Sequence, residues 1–306
     1  MASLAEYEYS PDSNAQYGAS WRQIYVDGES IDLLTTNDFP SDDPWSVDFR
    51  EAVAALWRQT HFSDQSVWEF GVGDGRNLIV ARGIRGVPLR KVHGIDIDDW
   101  RLDLAAGNLE RTGISGETPV SLFHMHALDY LRALKDSYGN NSLKGVVLMC
   151  LPQSPEGGNS ADTYDQSGLG RYRLWDIFGL SLNAAVLDNL QPVAHRETIA
   201  LVMLSGRVPE EIRLDMLHTT GWSVEQEFGS LPVQQDPDTG IRYVEGYATE
   251  GVFWEVDEYR NYQPISTAEA IRRWEQCRAY GGGRDTLNVF HTVHEYLISP
   301  RKGLFG

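Results

Sequence analysis

An α/β fold, with a mostly parallel seven-stranded sheet and helices on both faces, is what this sequence predicts. Three observations predict it. Short apolar runs alternate with amphipathic segments from Ser46 to Leu204, the pattern of parallel strands joined by crossover helices. The run Val67-Trp68-Glu69-Phe70 passes into Gly71-Val72-Gly73-Asp74-Gly75, and a helical pattern opens at Asn77-Leu78-Ile79. A strand, a glycine-rich turn and a helix in succession form the place where such sheets hold a nucleotide-like ligand. The 306 residues give ample length for a buried core.

The elements follow in order. Residues 1–45 are polar, acidic and rich in Pro, Ser and Asp, and read as an ordered cover or a lead-in. Phe49, Val53, Leu56 and Trp57 have helical spacing and predict a helix over 46–59. Strands are expected at 67–70, 92–97, 120–124, 145–149 and 198–204, with helices at 100–109, 127–134 and 175–190. A helix over 209–219 has Pro209 in its first turn and Gly221 past its end. Strand-like segments at 222–228 and 243–256 precede a helix over 267–279. The last segment, 286–298, reads as helix or strand, and the helical stripe of Leu287, Phe290, Val293 and Leu297 favours a helix. The chain then divides into a cover segment with its helix (1–60), the sheet domain (61–262) and a helical extension packed on it (263–306). About twenty residues from Ser154 to Tyr172 separate the fourth strand from its helix. So long a loop at the carboxyl end of a central strand reads as a lid.

Composition narrows the function. Forty-four acids against 26 bases leave a formal charge of −18, which argues against nucleic acid and anionic membrane as partners. Cys150 and Cys277 have no CxxC spacing and suit a reducing compartment. Residues 1–7 lack a basic stretch followed by an apolar core, and no apolar run approaches the ~20 residues of a membrane span. A cytoplasmic protein is expected. His124 and His126 have strand spacing, but no acid-plus-Cys set joins them, so no metal is expected.

The glycine turn discriminates between ligands. A dinucleotide loop reads GxGxxG; here Gly75 falls two residues after Gly73, and Arg76 takes the sixth position. Glu69 two residues ahead of Gly71, with GxGxG following, resembles the first motif of class I S-adenosylmethionine-dependent methyltransferases, a Rossmann-like fold. Asp96 ends the second strand about twenty residues further on, where an acid can accept both ribose hydroxyls of a bound nucleoside. Asp98 is the less favoured alternative, because it reads as a helix N-cap. Under this resemblance the cofactor contacts are Glu69, Gly71, Gly73, Gly75, Asn77, Asp96, Ile97, Cys150 and Leu151, with Asp129 meeting the adenine amino group.

A narrower resemblance rests on four stretches in order: Leu151-Pro152-Gln153, Phe178-Gly179-Leu180, Ser205-Gly206-Arg207-Val208-Pro209 and Ala279-Tyr280-Gly281-Gly282-Gly283-Arg284. Together, from about Asp43 to Leu297, they resemble the methyltransferase domain of methionine S-methyltransferases. Those enzymes read Ile-Pro-Gln, Phe-Gly-Leu-Gly, Gly-Gly-Arg-Pro and Ala-Tyr-Gly-x-x-Gly-Gly-Arg at these places. Ser205 and Ser181 replace family glycines. The resemblance implies methyl transfer from S-adenosylmethionine to the thioether of L-methionine, giving S-methylmethionine and S-adenosylhomocysteine. It further implies a homodimer, and a first step of bacterial dimethylsulfoniopropionate synthesis. A thioether sulfur is nucleophilic without losing a proton, so no general base is expected. Arg207 is the first candidate for the substrate carboxylate and Arg284 the second. Trp45 and Tyr280 are expected to line the sulfur pocket, Gln153 to contact the ammonium, and Pro152 and Tyr172 to adjoin it. An N- or O-methyltransferase of another small amino acid or amine is the alternative. A non-catalytic S-adenosylmethionine-binding subunit and an NAD-dependent dehydrogenase are disfavoured, the first by the intact motif and the second by its spacing.

Overall fold

The computed structural model describes residues 4, 6–8, 19–26, 29–36, 44–59, 64–83, 89–153, 172–176, 178–238, 240–246, 252–283 and 286–301. The expected lid (154–171) and Arg284 lie outside them. Two antiparallel strands, β1 (Ser20–Val26) and β2 (Glu29–Thr35), precede helix α1 (Pro44–Gln59). The cover segment thus contains a hairpin, and Asn108 fastens it: its Oδ1 accepts from Leu34 N (2.6 Å), and its Nδ2 donates to Leu34 O and Asp74 O (both 2.9 Å).

Strands and helices then alternate as the sequence predicts. β3 (Ser66–Phe70) leads to α2 (Arg76–Gly83), and β4 (Lys91–Asp96) to α3 (Asp99–Arg111) and the short α4 (Ile114–Glu117). β5 (Val120–His124) leads to α5 (Ala127–Tyr138), and β6 (Gly145–Met149) to α6 (Arg173–Asp176) and α7 (Ser181–Leu190). β7 (Ile199–Ser205), α8 (Glu210–Thr219) and β8 (Trp222–Gln234) follow. After them come β9 (Phe253–Val256), β10 (Tyr262–Ile265), α9 (Thr267–Ala279) and β11 (Phe290–Pro300). Strands β5-β4-β3-β6-β7 are parallel neighbours in that order. β11 lies antiparallel between β7 and β8. This is a Rossmann-like α/β arrangement, a mostly parallel sheet with helices on both faces, with the β9–β10 hairpin added at the start of β11.

Alternation along each strand divides the core between two faces. Val67, Val146, Leu148, Leu201 and Met203 pack against Phe49, Leu78 and Leu102 of α1, α2 and α3. Their neighbours Trp68, Phe70, Val147, Met149 and Val202 pack against Leu131, Leu187 and Met216 of α5, α7 and α8. Burying strands on both sides is what makes their sequences nearly continuous apolar runs. A third cluster, with Phe253, Ile271 and Trp274, holds α9 to the added hairpin.

Three expectations are corrected. The last segment is strand β11 rather than a helix. Val293 and Leu297 join one core while Tyr296 and Ile298 join the other, so burial on both faces imitates a helical stripe. The segment after residue 263 therefore contributes a strand inside the sheet as well as a helix. The helix expected over 175–190 is divided at Gly179, whose φ of 71° no helix accommodates. The strand expected over 243–256 is a 3₁₀ turn at Arg242–Gly246 followed by the short β9. Among the described residues no helix is long and apolar enough to cross a membrane.

Candidate functional site

The site is built on the turn after β3. Gly71, Gly73 and Gly75 have φ of 75°, 55° and 77°, the left-handed region that side chains disfavour. Gly71 N and Val72 N donate to Ile95 O at 2.8 and 3.1 Å, tying the turn to β4. A Cβ at Gly71 would lie 3.2 Å from Leu151 Cδ2, and one at Gly75 would lie 3.3 Å from Ala105 Cα. Packing on both sides fixes the path of the turn.

Buried polar groups anchor it. Asp96, 4% exposed at the end of β4, accepts from Gly73 N at 2.9 Å and from Asp98 N at 3.1 Å. Burial raises its carboxyl above the ordinary range, and the two N–H donors pull the other way. Each oxygen keeps a lone pair for a further donor. Asn77 Nδ2 donates to Glu69 Oε1 at 2.7 Å. Among the described residues Glu69 Oε2 and Asn77 Oδ1 are buried with no partner, and desolvation holds the Glu69 carboxyl well above its usual value. Asp74 and Arg76 pair through two side-chain bonds of 2.8 and 2.6 Å, both residues buried. Ile97 is 50% exposed beside Asp96, and His124 Nε2 bonds its carbonyl at 2.8 Å.

A cavity of about 340 Å³ opens from this turn. Its walls are the turn itself, the end of β6 from Cys150 to Gln153, Trp45 and Ser46 at the start of α1, and Arg101 of α3. Arg207, Gln235, Asp236 and His291 complete it. Arg207 is 3% exposed. Its backbone N and Nε donate to Ser205 Oγ at 3.2 and 2.9 Å, and Nη1 reaches Gln235 Oε1 at 3.4 Å. Its guanidinium carbon lies 5.7 Å from the Trp45 ring. Among the described residues no carboxylate pairs with this guanidinium. His291 is 1% exposed, with Nδ1 2.8 Å from Thr292 O and its ring edge-on to Trp45 at 5.4 Å.

The structure brings together most of the residues singled out in the sequence, and separates others. Gly71, Asn77, Cys150, Leu151, Pro152, Gln153, Trp45 and Arg207 share the cavity. Glu69, Gly73, Gly75 and Asp96 stand behind or beside its floor through the bonds above. Gln153 spends its amide on β7, donating to Met203 O and accepting from Ser205 N, each at 2.8 Å. That leaves it engaged away from an ammonium. Tyr172 is buried under α7, its hydroxyl donating to Asp188 Oδ2 at 2.6 Å, and Tyr280 is 87% exposed. Neither lines the cavity. Asp129 sits exposed in the first turn of α5 and pairs with Arg132 at 3.1 Å, while His126 caps that helix. Sequence reasoning missed His291, Gln235 and Asp236 because they reach the cavity only once β11 is a strand. Arg76 and Asp74 were legible as charges inside the glycine turn.

A scan of family profiles and a search of curated proteins found no match to this chain. Solved structures resemble it more remotely. A SAM-dependent methyltransferase from Agrobacterium tumefaciens is 11% identical over 92% of this chain and 70% of its own, with a TM-score of 0.48. TYW2 from Pyrococcus horikoshii, in complex with MeSAdo, is 11% identical over 92% of this chain and 72% of its own, at 0.47. The YcgJ protein from Bacillus subtilis is 9% identical over 82% of this chain and 99% of its own, at 0.45.

Proposed function

We propose that this protein transfers a methyl group from S-adenosylmethionine to the sulfur of L-methionine, giving S-methyl-L-methionine and S-adenosylhomocysteine. The observation that carries the acceptor is Arg207, a buried guanidinium that no carboxylate pairs with among the described residues, in the cavity that begins at the glycine turn. A buried charge is costly unless paired, and a substrate carboxylate is the partner that geometry favours. The donor fits the other end. The glycines leave room for close approach, Asp96 keeps lone pairs for ribose hydroxyls, and Ile97 offers an exposed apolar face beside it. The unpartnered Glu69 Oε2 and Asn77 Oδ1 add polar capacity behind the turn. The motif resemblance supports methionine among carboxylate-bearing acceptors, and with it the opening step of dimethylsulfoniopropionate synthesis.

S-adenosylmethionine, when bound, supplies an electrophilic methyl on a sulfonium. The chain's own work is then to bind and orient. Arg207 fixes the carboxylate end of the acceptor, and Trp45 and Leu151 border its apolar part. Such placement alone is worth several kcal/mol of barrier, of order 7 or more in the best-oriented cases. The thioether lone pair needs no deprotonation, so no proton has to be moved. A second reading, N- or O-methylation of another small amino acid or amine, is favoured by one observation: the imidazole of His291 borders the same cavity and could take a proton.

Arg207→Met tests the acceptor assignment. Its KM for methionine should rise about tenfold or more, with the affinity for S-adenosylhomocysteine unchanged. Its melting temperature without ligands should not fall, because an unpaired buried charge has been exchanged for an apolar chain of similar length. An unaltered KM would discard Arg207 as the carboxylate ligand.

A further inference from the structure

We infer that His291 is the specificity residue for the acceptor's ammonium group, so that Arg207 and His291 together select a zwitterionic α-amino acid. This rests on the reading of Arg207 as the carboxylate site. His291 enters β11 between Val233 of β8 and Phe253 of β9, a position that fixes its backbone on both sides. Its Nδ1 faces Thr292 O at 2.8 Å. A carbonyl only accepts, so Nδ1 carries the hydrogen and Nε2 carries the lone pair. Burial and the nearby charge of Arg207 hold the imidazole well below its ordinary pKa, which keeps that lone pair available. The Trp45 ring, 5.4 Å away and edge-on, restricts rotation.

Among the described residues Nε2 has no hydrogen-bond partner, and His291, 1% exposed, lines the cavity. An acceptor on the cavity wall is open to a donor that enters the cavity, and pairing it there is favourable. A carboxylate cannot donate, whereas an ammonium offers three N–H groups. One wall thus presents a guanidinium lacking an anion and an acceptor lacking a donor. A carboxylate and an ammonium on one carbon satisfy both. Asp236, on the same wall, adds negative charge beside the ammonium, its Oδ1 accepting from Asp238 N at 2.8 Å.

The test compares L-methionine with 4-(methylthio)butanoate, which keeps the thioether and carboxylate and lacks the amine. Calorimetric titration in the presence of S-adenosylhomocysteine should show the wild type favouring methionine by about tenfold or more. His291→Asn, which keeps the bond to Thr292 O and removes the acceptor at Nε2, should lose that preference. His291→Gln, which restores an acceptor near the same point, should recover part of it. In the wild type, the ¹⁵N resonance of His291 Nε2 should move with methionine and not with the deaminated analogue, a readout that needs no variant. A preference retained in His291→Asn, or an Nε2 resonance indifferent to methionine, would overturn the inference while leaving Arg207 in place. Binding of neither compound, with S-adenosylhomocysteine still bound, would overturn the underlying acceptor reading as well.

Discussion

Asp96 holds the fold at the point where the proposed ribose would lie. Its carboxylate closes the glycine turn through Gly73 N and the strand end through Asp98 N. Asp96→Ala should therefore weaken S-adenosylhomocysteine binding severely, by about tenfold or more, as read by titration; an unchanged affinity would remove Asp96 from the ribose role. The position of this residue was legible in the sequence because it follows from a local spacing, a strand end about twenty residues past the turn. Arg207 was legible for the same reason, standing just past the end of β7. Tyr280 and Tyr172 were not placed by such a rule. Tyr280's expected role came from a matching stretch and Tyr172's from its place at the end of the long loop, and the fold turns Tyr280 to solvent and Tyr172 into the core. Gln153 sits where the sequence puts it, yet its amide joins β6 to β7, a bond that no single-strand pattern announces.

At the scale of elements, the strands and helices from β3 to β7 were legible because strand burial and helical periodicity agree there with turn chemistry. β11 was not, since a strand buried on both faces loses the period of two by which strands are recognised. Its insertion also creates a buried carboxyl pair that neither segment reveals alone. Asp48 of α1 and Glu295 of β11 are 5% and 3% exposed, and their carboxyls lie beside each other. Desolvation raises both, and Glu295 is pushed up to about 9 with Asp48 reinforcing the rise. The folded state then holds a proton that the unfolded chain has released. Stability must fall as pH climbs from the ordinary carboxylate range, about 4, toward 9. Glu295→Gln should flatten that decline in melting temperature, leaving the part due to Glu69 and Asp96; a decline as steep as the wild type's would exclude the pair as its source. The glycine turn yields a separate expectation. Gly75→Ala places a Cβ 3.3 Å from Ala105 at a φ of 77°. It should cost about 1–3 kcal/mol of stability in denaturant unfolding, and a neutral result would mean that the turn relaxes freely.

For the molecule as a whole, the sheet order sets the chemistry's location and the additions set its boundaries. The turn after β3, the ends of β4, β6 and β7, and the start of β11 meet at one end of the sheet, where open α/β folds hold ligands. α1 delivers Trp45 from one side, and the β9–β10 hairpin packs beside His291 on the other. The formal charge of −18 disfavours polyanionic substrates and suits a small zwitterion. The central claim is a reaction, and its product tests it most directly. The purified protein is incubated with S-adenosylmethionine and L-methionine, and the mixture is read by mass spectrometry. S-methylmethionine should accumulate in equal amount with S-adenosylhomocysteine. S-adenosylmethionine bound but no S-methylmethionine formed would contradict the account and move the acceptor to another amino acid or amine.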